Sequence, residues 1–572
     1  MEQKYLDLYQ QWCANATADP DLVRELAAMA GDEAAIEDAF YRELSFGTAG
    51  IRGVLGAGTN RMNCYVVARA TRGLAAYVKR HFPEGARTVA IGYDSRIKSD
   101  VFARIAAAVM AEEGIKAYLW PTLMPVPCVS FATRELHAAA GIMVTASHNP
   151  SKYNGYKAYG ADGCQLGEDE AAEVLAEINA RDLFADYHPD FEAGLASGMI
   201  EYISPEIFTA YIEAVKKQSL QGFEKIDRNV AIVYSPLNGA GLVPVTRVLA
   251  ETGFTNITVV KEQEQPDGNF PTCPYPNPEI REAMQLGMDY ARRENADLLI
   301  ATDPDSDRVG IAVKDGDDYR LITGHQVGVL LTEYVCTRRL GLGRMPSPAY
   351  IAKSIVTTDL ADKVAAGYGV STMNTLTGFK YIGEQIARLE EMGQRDRFLM
   401  GFEESYGYLI GTHARDKDAV VATMMIAEMF AYYRTHGVSL PDKLNEIYAK
   451  YGYCLNHTYS YTFEGSAGFA RMAEIMDGLH ARYGAFAGDG SFLDAPLASV
   501  QDFMGDSVPG MAPGTPKSNM LRFVFADGNS VIVRPSGTEP KLKCYVTVYA
   551  ADEATAVARC DEIGRKIAEM MK

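Results

Sequence analysis

The stretch AAGIMVTASHNP, residues 139–150, changes character abruptly: an uninterrupted apolar run gives way to a loop bearing a hydroxyl, an imidazole and an amide. A run this short, with no polar residue interleaved, has the pattern of a strand buried on both faces, as in a parallel sheet covered by helices. The chain holds two more such junctions, ADLLIATDPDSDR at 296–308 and RFLMGFEES at 397–405. Each is preceded by another strand-like run, TVAIGYDSR from 88, VAIVYSPLNGAG from 230 and AYIAKSIVTTD from 349, with Ala-rich helical stretches between. Strands alternating with helices predict an α/β fold, here one unit used three times. In open parallel sheets ligands bind beyond the carboxyl ends of the strands, so the three polar loops are the first candidates for chemistry.

The segment from about 455 onward differs. YSYTFEG, a helix-like AGFARMAEIMDGLHARY, the strand pairs LRFVFADGNSVIVRP and KCYVTVYA, and a terminal helix predict a smaller α+β domain with an antiparallel sheet, Asp527-Gly528 forming a hairpin turn. The first 45 residues predict amphipathic helices packed on the first unit.

A chain of 572 residues is too long for one core and predicts several domains. The net charge of −19 argues against nonspecific binding to nucleic acid or an anionic membrane, so an anionic ligand needs a local basic cluster. Nine scattered cysteines without CxxC spacing predict reduced thiols of a cytoplasmic protein. The N-terminus lacks the basic and apolar regions of a signal peptide, and the apolar stretch at 419–433 is broken by Glu428 and shorter than the ~20 residues a bilayer needs, which predicts a buried helix.

In DPDSDR, an extended loop directs Asp303, Asp305 and Asp307 to one side, a set of hard oxygens suited to Mg²⁺. An EF-hand is excluded because its glycine and glutamate positions hold Arg308 and Lys314. Ser147 lacks the GxSxG context of a hydrolase nucleophile, and in an extended loop His148 points away from it. A phosphate on Ser147 requires a divalent metal and nearby cations, which Lys157 and Arg308 can supply; a cap or turn is the simpler alternative. In GFEESYGYLIGTHARDKD, 401–418, Glu403 and Ser405 are placed to bind neighbouring sugar hydroxyls, with Arg415 and Lys417 attracting phosphate. Thr377, Gly378 and Lys380 of LTGFKY offer further contacts. Arg534, Ser536, Gly537 and Thr538 of RPSGTEPKLK form a donor-rich turn able to hold a phosphate dianion, and for each of these loops an ordinary polar turn is the competing explanation.

Taken in order, TASHNPSKYNGYK, DPDSDR, GFEES and RPSGTEPK resemble the four signature loops of the α-D-phosphohexomutases, over nearly the whole chain from FGTAGIRG at 46. FGTAGIRG, GTNRMN and FEES are similar to the phosphoglucomutase/phosphopentomutase branch. The resemblance implies a four-domain, heart-shaped architecture, three related α/β domains at 1–205, 206–318 and 319–450 plus a C-terminal α+β domain at 451–572. It implies Ser147 as a phosphoserine, Mg²⁺ held by the three aspartates and a phosphoserine oxygen, and a bound glucose 1,6-bisphosphate that turns end for end. Arg52, Arg308 and Lys157 would stabilise charge during transfer, and Lys417 would aid Arg534, Ser536 and Thr538 on the phosphate that does not react. The implied substrate is a sugar phosphate, glucose 1-phosphate first and a pentose phosphate second, with phosphomannomutase and bisphosphate synthase activities behind them, in a monomer or weak homodimer. Phosphomannomutase-type relatives carry GEMSGH, and Gly407 stands here in place of the final histidine, leaving His148, Lys157 and His413 as candidate general bases. A phosphohydrolase has little need of a sugar grip and a second phosphate clamp; a noncatalytic sensor has little need of an intact serine, aspartate and lysine set.

Overall fold

The computed structural model describes residues 2–572 apart from 48–49, 186, 223, 464, 506–507 and 537–540, and side chains apart also from 465–467 and 487–489. The chain forms two compact units, one of Met1–Thr323, Ile386–Asp396 and Ser405–Tyr432, the other of Gly324–Gln385, Arg397–Glu404 and Tyr433–Lys572.

In the first unit, a six-stranded sheet has the order Ile51–Val54, Tyr153–Gly160, Ala140–Val144, Thr88–Tyr93, Lys116–Leu119, Ile200–Tyr202. Thr88–Tyr93 pairs in parallel with Ala140–Val144 and with Lys116–Leu119, Val89 standing opposite both Ala140 and Ala117. All five residues of Ala140–Val144 are buried, as an apolar run without alternation requires. The second sheet repeats the plan: Ile232–Ser235 lies between Leu298–Thr302 and Ile257–Val259, both parallel to it, and Val309–Asp315 returns antiparallel. In the second unit, Ala349–Ser354 likewise lies between Phe398–Glu403 and Val370–Thr375, all parallel. The three-fold internal repeat is thus real at the level of strand order: TASHNP and DPDSDR follow, and FEES straddles the end of, the equivalent strand of each repeat.

Three N-terminal helices, Gln3–Asn15, Pro20–Ala28 and Glu33–Phe40, pack through Trp12, whose ring meets Phe40, Tyr65 and Phe184 edge-on at 5.3–6.0 Å. The apolar stretch from 419 becomes helix Ala419–Thr435, buried from 419 to 429. Its Glu428 carboxylate accepts from the Ser219 hydroxyl and the Leu220 amide at 2.5 and 2.8 Å. Among the described residues no helix is long and apolar enough to cross a membrane. All nine cysteines are free thiols.

The C-terminal part holds an antiparallel sheet ordered Tyr453–Thr462, Lys541–Ala550, Ser530–Pro535, Leu521–Phe525, Ala495–Asp502, Ser491–Phe492, with helix Glu553–Met570 on its core face. The predicted hairpin forms between Leu521–Phe525 and Ser530–Pro535, Gly528 supplying the left-handed backbone at φ +85°.

Candidate active site

Ser147 follows the buried strand Ala140–Val144 and is itself only 2% exposed. The loop is not extended there, as the sequence pattern suggests, because Ser147 adopts a left-handed backbone at φ +52°. That conformation costs a side-chain-bearing residue roughly 1–2 kcal/mol and needs support from its surroundings. Its consequence is that neighbouring side chains meet instead of diverging: His148 Nδ1 lies 3.1 Å from Ser147 Oγ. The hydroxyl donates to Asp303 Oδ2 at 2.9 Å. A hydroxyl has one hydrogen, so with that hydrogen on Asp303 the His148 contact is made by Nδ1–H donating to Oγ. Burial, then the charges of Arg308 and Arg52, hold the imidazole well below its ordinary pKa and therefore neutral.

The DPDSDR loop turns as well, through Ser306 at φ +51°. The turn, rather than alternation along an extended chain, brings the three carboxylates together, with one oxygen of each within 4.8 Å of the others. The amides of Asp307 and Arg308 donate to Asp303 Oδ1 at 3.1 and 2.9 Å. Glycines let a second loop support this one. The Ala240 amide donates to Pro304 O at 2.8 Å, and a Cβ on Gly239 would lie 2.4 Å from Pro304 Cα. SPLNGAG at 235–241 thus buttresses the aspartate loop, and its paired glycines are the signal in the sequence.

Lysines face the carboxylates. Lys157 Nζ donates to Asp305 Oδ2 and Asp307 Oδ2 at 2.9 and 3.2 Å, and Lys417 Nζ lies 3.2 Å from Asp307 Oδ2. Burial disfavours the Lys157 ammonium, but Asp305 and Asp307 outweigh it and hold the group above its ordinary value. Lys157 in this setting is a fixed cation and proton donor, which argues against it as the general base. Burial and the two neighbouring carboxylates push Asp303 well up. Burial also opposes charge on Asp307, yet Lys417, Lys157 and Arg308 hold it below the usual carboxylate range. Oδ1 of Asp305 and Oδ1 of Asp307 are buried without hydrogen-bond partners. Three crowded carboxylates with two such oxygens fit a hard divalent cation.

Arg308 pairs with Glu279, and Arg52 donates to Asn149 Oδ1 at 3.1 Å, on the serine loop. The 405–418 segment is tied to the aspartate loop by Val309 N to Tyr406 O at 3.1 Å and Ala419 N to Ser306 O at 3.2 Å. Arg415 departs from expectation: it is fully buried, donates to Thr412 O and pairs with Glu390 at 2.5 Å, so its charge is engaged in holding the segment rather than turned toward a phosphate. His413 Nε2 is 2.7 Å from Asp418 Oδ2, which makes it part of the same scaffold. Ser405 is half-buried.

In the second unit, strand Phe398–Glu403 ends at Glu403, whose Oε1 accepts from the Gly378 amide at 2.7 Å; Gly378, at φ +125°, has a backbone suited to glycine. Glu404 Oε2 accepts from Ser354 Oγ and Thr357 Oγ1 at 3.0 and 2.9 Å. Thr377 Oγ1 is buried without a hydrogen-bond partner, and Lys380 Nζ stands 4.3 Å from the centre of the Tyr381 ring. Arg534 is half-buried on strand Ser530–Pro535, and the Ser536 amide donates to Lys541 O at 2.7 Å. Gly537 and Thr538 lie outside the described residues.

Known proteins resemble this chain along its length. Four domain descriptions of one family, "Phosphoglucomutase/phosphomannomutase, alpha/beta/alpha" domains I, II and III and the C-terminal domain, match residues 43–184, 209–316, 323–451 and 489–561 in order. A phosphoglucomutase of Staphylococcus saprophyticus is 37% identical over 528 residues, 90% of this chain and 93% of that protein. One of Staphylococcus haemolyticus is 35% identical over 90% of this chain and 91% of its own. Among solved structures, a putative phosphomannomutase of Thermus thermophilus aligns with a TM-score of 0.66 at 23% identity, covering 92% of this chain and 99% of that one. Paramecium parafusin, a phosphoglucomutase, aligns with 0.68 at 18% identity, covering 92% and 96%, and both share the fold. Four matching domains in sequence, a common strand plan and relatives above one-third identity over nine-tenths of the chain lead to one assignment: the chain belongs to the phosphoglucomutase/phosphomannomutase family.

Proposed function

We propose that the protein is a phosphoglucomutase, interconverting glucose 1-phosphate and glucose 6-phosphate through a phosphoryl group on Ser147 and a bound glucose 1,6-bisphosphate. The observation that carries this reading is the contact of Ser147 Oγ with Asp303 at 2.9 Å, inside a buried triad of carboxylates faced by Lys157 and Lys417. The names of the Staphylococcus relatives favour glucose over pentose.

Mg²⁺ on Asp303, Asp305 and Asp307, when bound, supplies a Lewis acid that neutralises charge on the transferring phosphoryl group. The protein's own part is chiefly positioning and charge, as phosphoryl transfer demands. A sugar hydroxyl loses its proton as its oxygen attacks the phosphorus of phosphorylated Ser147, the bond to Oγ breaks, and the leaving serine oxygen takes up one proton, so that Ser147 ends as a hydroxyl. His148 holds an Nδ1 proton beside that oxygen, ready to be given in one half-reaction and taken back in the other. Lys157 and Arg308 balance the negative charge that collects there, and Lys417, expected beside the phosphate that does not react, joins them through its contact with Asp307 at 3.2 Å. Glu403 and Ser405 grip sugar hydroxyls common to both orientations, with the Gly378 amide donating to Glu403 and Thr377 and Lys380 close to Gly378 in sequence. Arg534, Ser536 and Thr538 hold the phosphate that is not reacting.

The test supplies purified protein with Mg²⁺, a trace of glucose 1,6-bisphosphate, and either glucose 1-phosphate or ribose 1-phosphate, and follows both isomer and inorganic phosphate. Isomerisation of the glucose substrate without phosphate release is expected. Preference for ribose 1-phosphate makes it a phosphopentomutase; phosphate release without isomer makes it a hydrolase.

A further inference from the structure

The left-handed backbone of Ser147 needs something to hold it, and the structure supplies an arginine outside the four signature loops. Arg96, at the end of the run TVAIGYDSR, is 2% exposed. Its Nε donates to Ser147 O at 3.2 Å, its Nη2 to Ser147 O and Asn149 O, and its Nη1 to Pro150 O and Tyr153 O at 2.9 and 3.0 Å. A guanidinium has five N–H donors in a planar fork, and all five are spent on four carbonyls of one short turn. The fork is itself fixed. Asp94 Oδ2 lies 3.5 Å from Nε, and the ring of Phe270, 1% exposed, covers the guanidinium at 5.0 Å. Asp94 also accepts from Thr145 Oγ1 at 2.6 Å, and that same oxygen accepts the Ser147 amide at 2.8 Å. Ser147 is therefore held on its carbonyl side by Arg96 and on its amide side by Thr145, both referred to Asp94.

We propose that Arg96 is the positioning residue for Ser147: its five-donor grip on the 147–153 turn keeps Oγ aimed at Asp303, and phosphoryl transfer depends on the shape of that grip rather than on its charge. The inference rests on the reading of Ser147 as the phosphoryl carrier. Lysine keeps the charge and most of the stem but offers three donors from one atom, so it cannot reproduce four carbonyl contacts.

The experiment compares Arg96→Lys and Arg96→Ala with the wild type, measuring kcat, KM for glucose 1-phosphate, and the rate at which labelled glucose 1,6-bisphosphate phosphorylates Ser147. A misplaced nucleophile lowers kcat by about a hundredfold and leaves KM nearly unchanged. Labelling of Ser147 slows in parallel, and added guanidinium ion, but not methylammonium, partly restores Arg96→Ala in a dose-dependent way. Arg96→Lys serves where the alanine variant does not fold, since it retains a buried stem and charge. Near-normal kcat in the lysine variant, a loss confined to KM, or a deficit in a folded alanine variant that guanidinium leaves untouched overturns the proposal. A wild-type Ser147 that never takes up label overturns the phosphoserine reading itself, whereas normal labelling of both variants overturns the grip alone.

Discussion

The stem of Lys417 occupies the space that a side chain at position 407 would require: a Cβ on Gly407 would lie 2.1 Å from Lys417 Cδ and 2.7 Å from its Cγ. Gly407 therefore does more than leave out the histidine of phosphomannomutase-type sequences. Its bareness lets Lys417 reach Asp307 at 3.2 Å.

Gly407→Ala displaces that stem, and the expected result is a fall in kcat of about tenfold or more, since small misplacements of charged groups are expensive in phosphoryl transfer. A double-mutant cycle checks the cause: in a Lys417→Ala background the same alanine costs little more. Additive losses contradict the link.

Lys157→Ala removes a buried cation from Asp305 and Asp307. Loss of one such electrostatic donor lowers the rate by about 10²–10³-fold. Steady-state kinetics will show this in kcat far more than in KM if Lys157 acts on the transferring group, and an unchanged kcat refutes that role.

Divalent metal has a separate readout in stability. Thermal unfolding of the wild type shifts upward with Mg²⁺, by about 2.7 kcal/mol at a hundredfold excess over Kd, and Asp305→Asn abolishes the shift. Because burial and its two neighbours push Asp303 up, the cation competes with a proton there, and Mg²⁺ affinity is expected to weaken as pH falls. Calorimetric titration with Mg²⁺ at two pH values measures it directly.

His325 gives a pH prediction away from the site. Its Nδ1 accepts from the Thr358 amide at 3.2 Å, and burial lowers its pKa from 6.5 to about 4. The neutral form is favoured in the folded state, so nothing is lost above pH 6.5, and stability falls as pH drops from 6.5 toward 4, by up to about 2 kcal/mol at pH 5. His325→Asn lacks this titration. The stability gap between wild type and variant should narrow on going from pH 7 to pH 5, and a constant gap contradicts the assignment.

Much of this site is legible in the sequence. Strands such as Ala140–Val144 announce themselves by continuous apolar residues, and a polar loop after a buried strand is conspicuous. Local backbone was harder: Ser147 and Ser306 both leave the extended region, and no propensity marks a serine for a left-handed turn that tertiary contacts enforce. Side-chain partners distant in sequence were hidden for the same reason. Arg415 looks like a phosphate ligand until Glu390 is seen beside it, and Arg96 looks like the end of a strand until five donors are traced to the serine loop. Periodicity specifies which face is buried; it is silent on which carbonyl an arginine will find.

The most direct measurement follows labelled phosphate from glucose 1,6-bisphosphate onto the protein by peptide mass spectrometry, with a chase of unlabelled glucose 1-phosphate. One phosphate on the peptide bearing Ser147, passed to sugar during the chase and absent in Ser147→Ala, is the predicted result. Isomerisation that proceeds in Ser147→Ala, or label that leaves only as inorganic phosphate, contradicts the account.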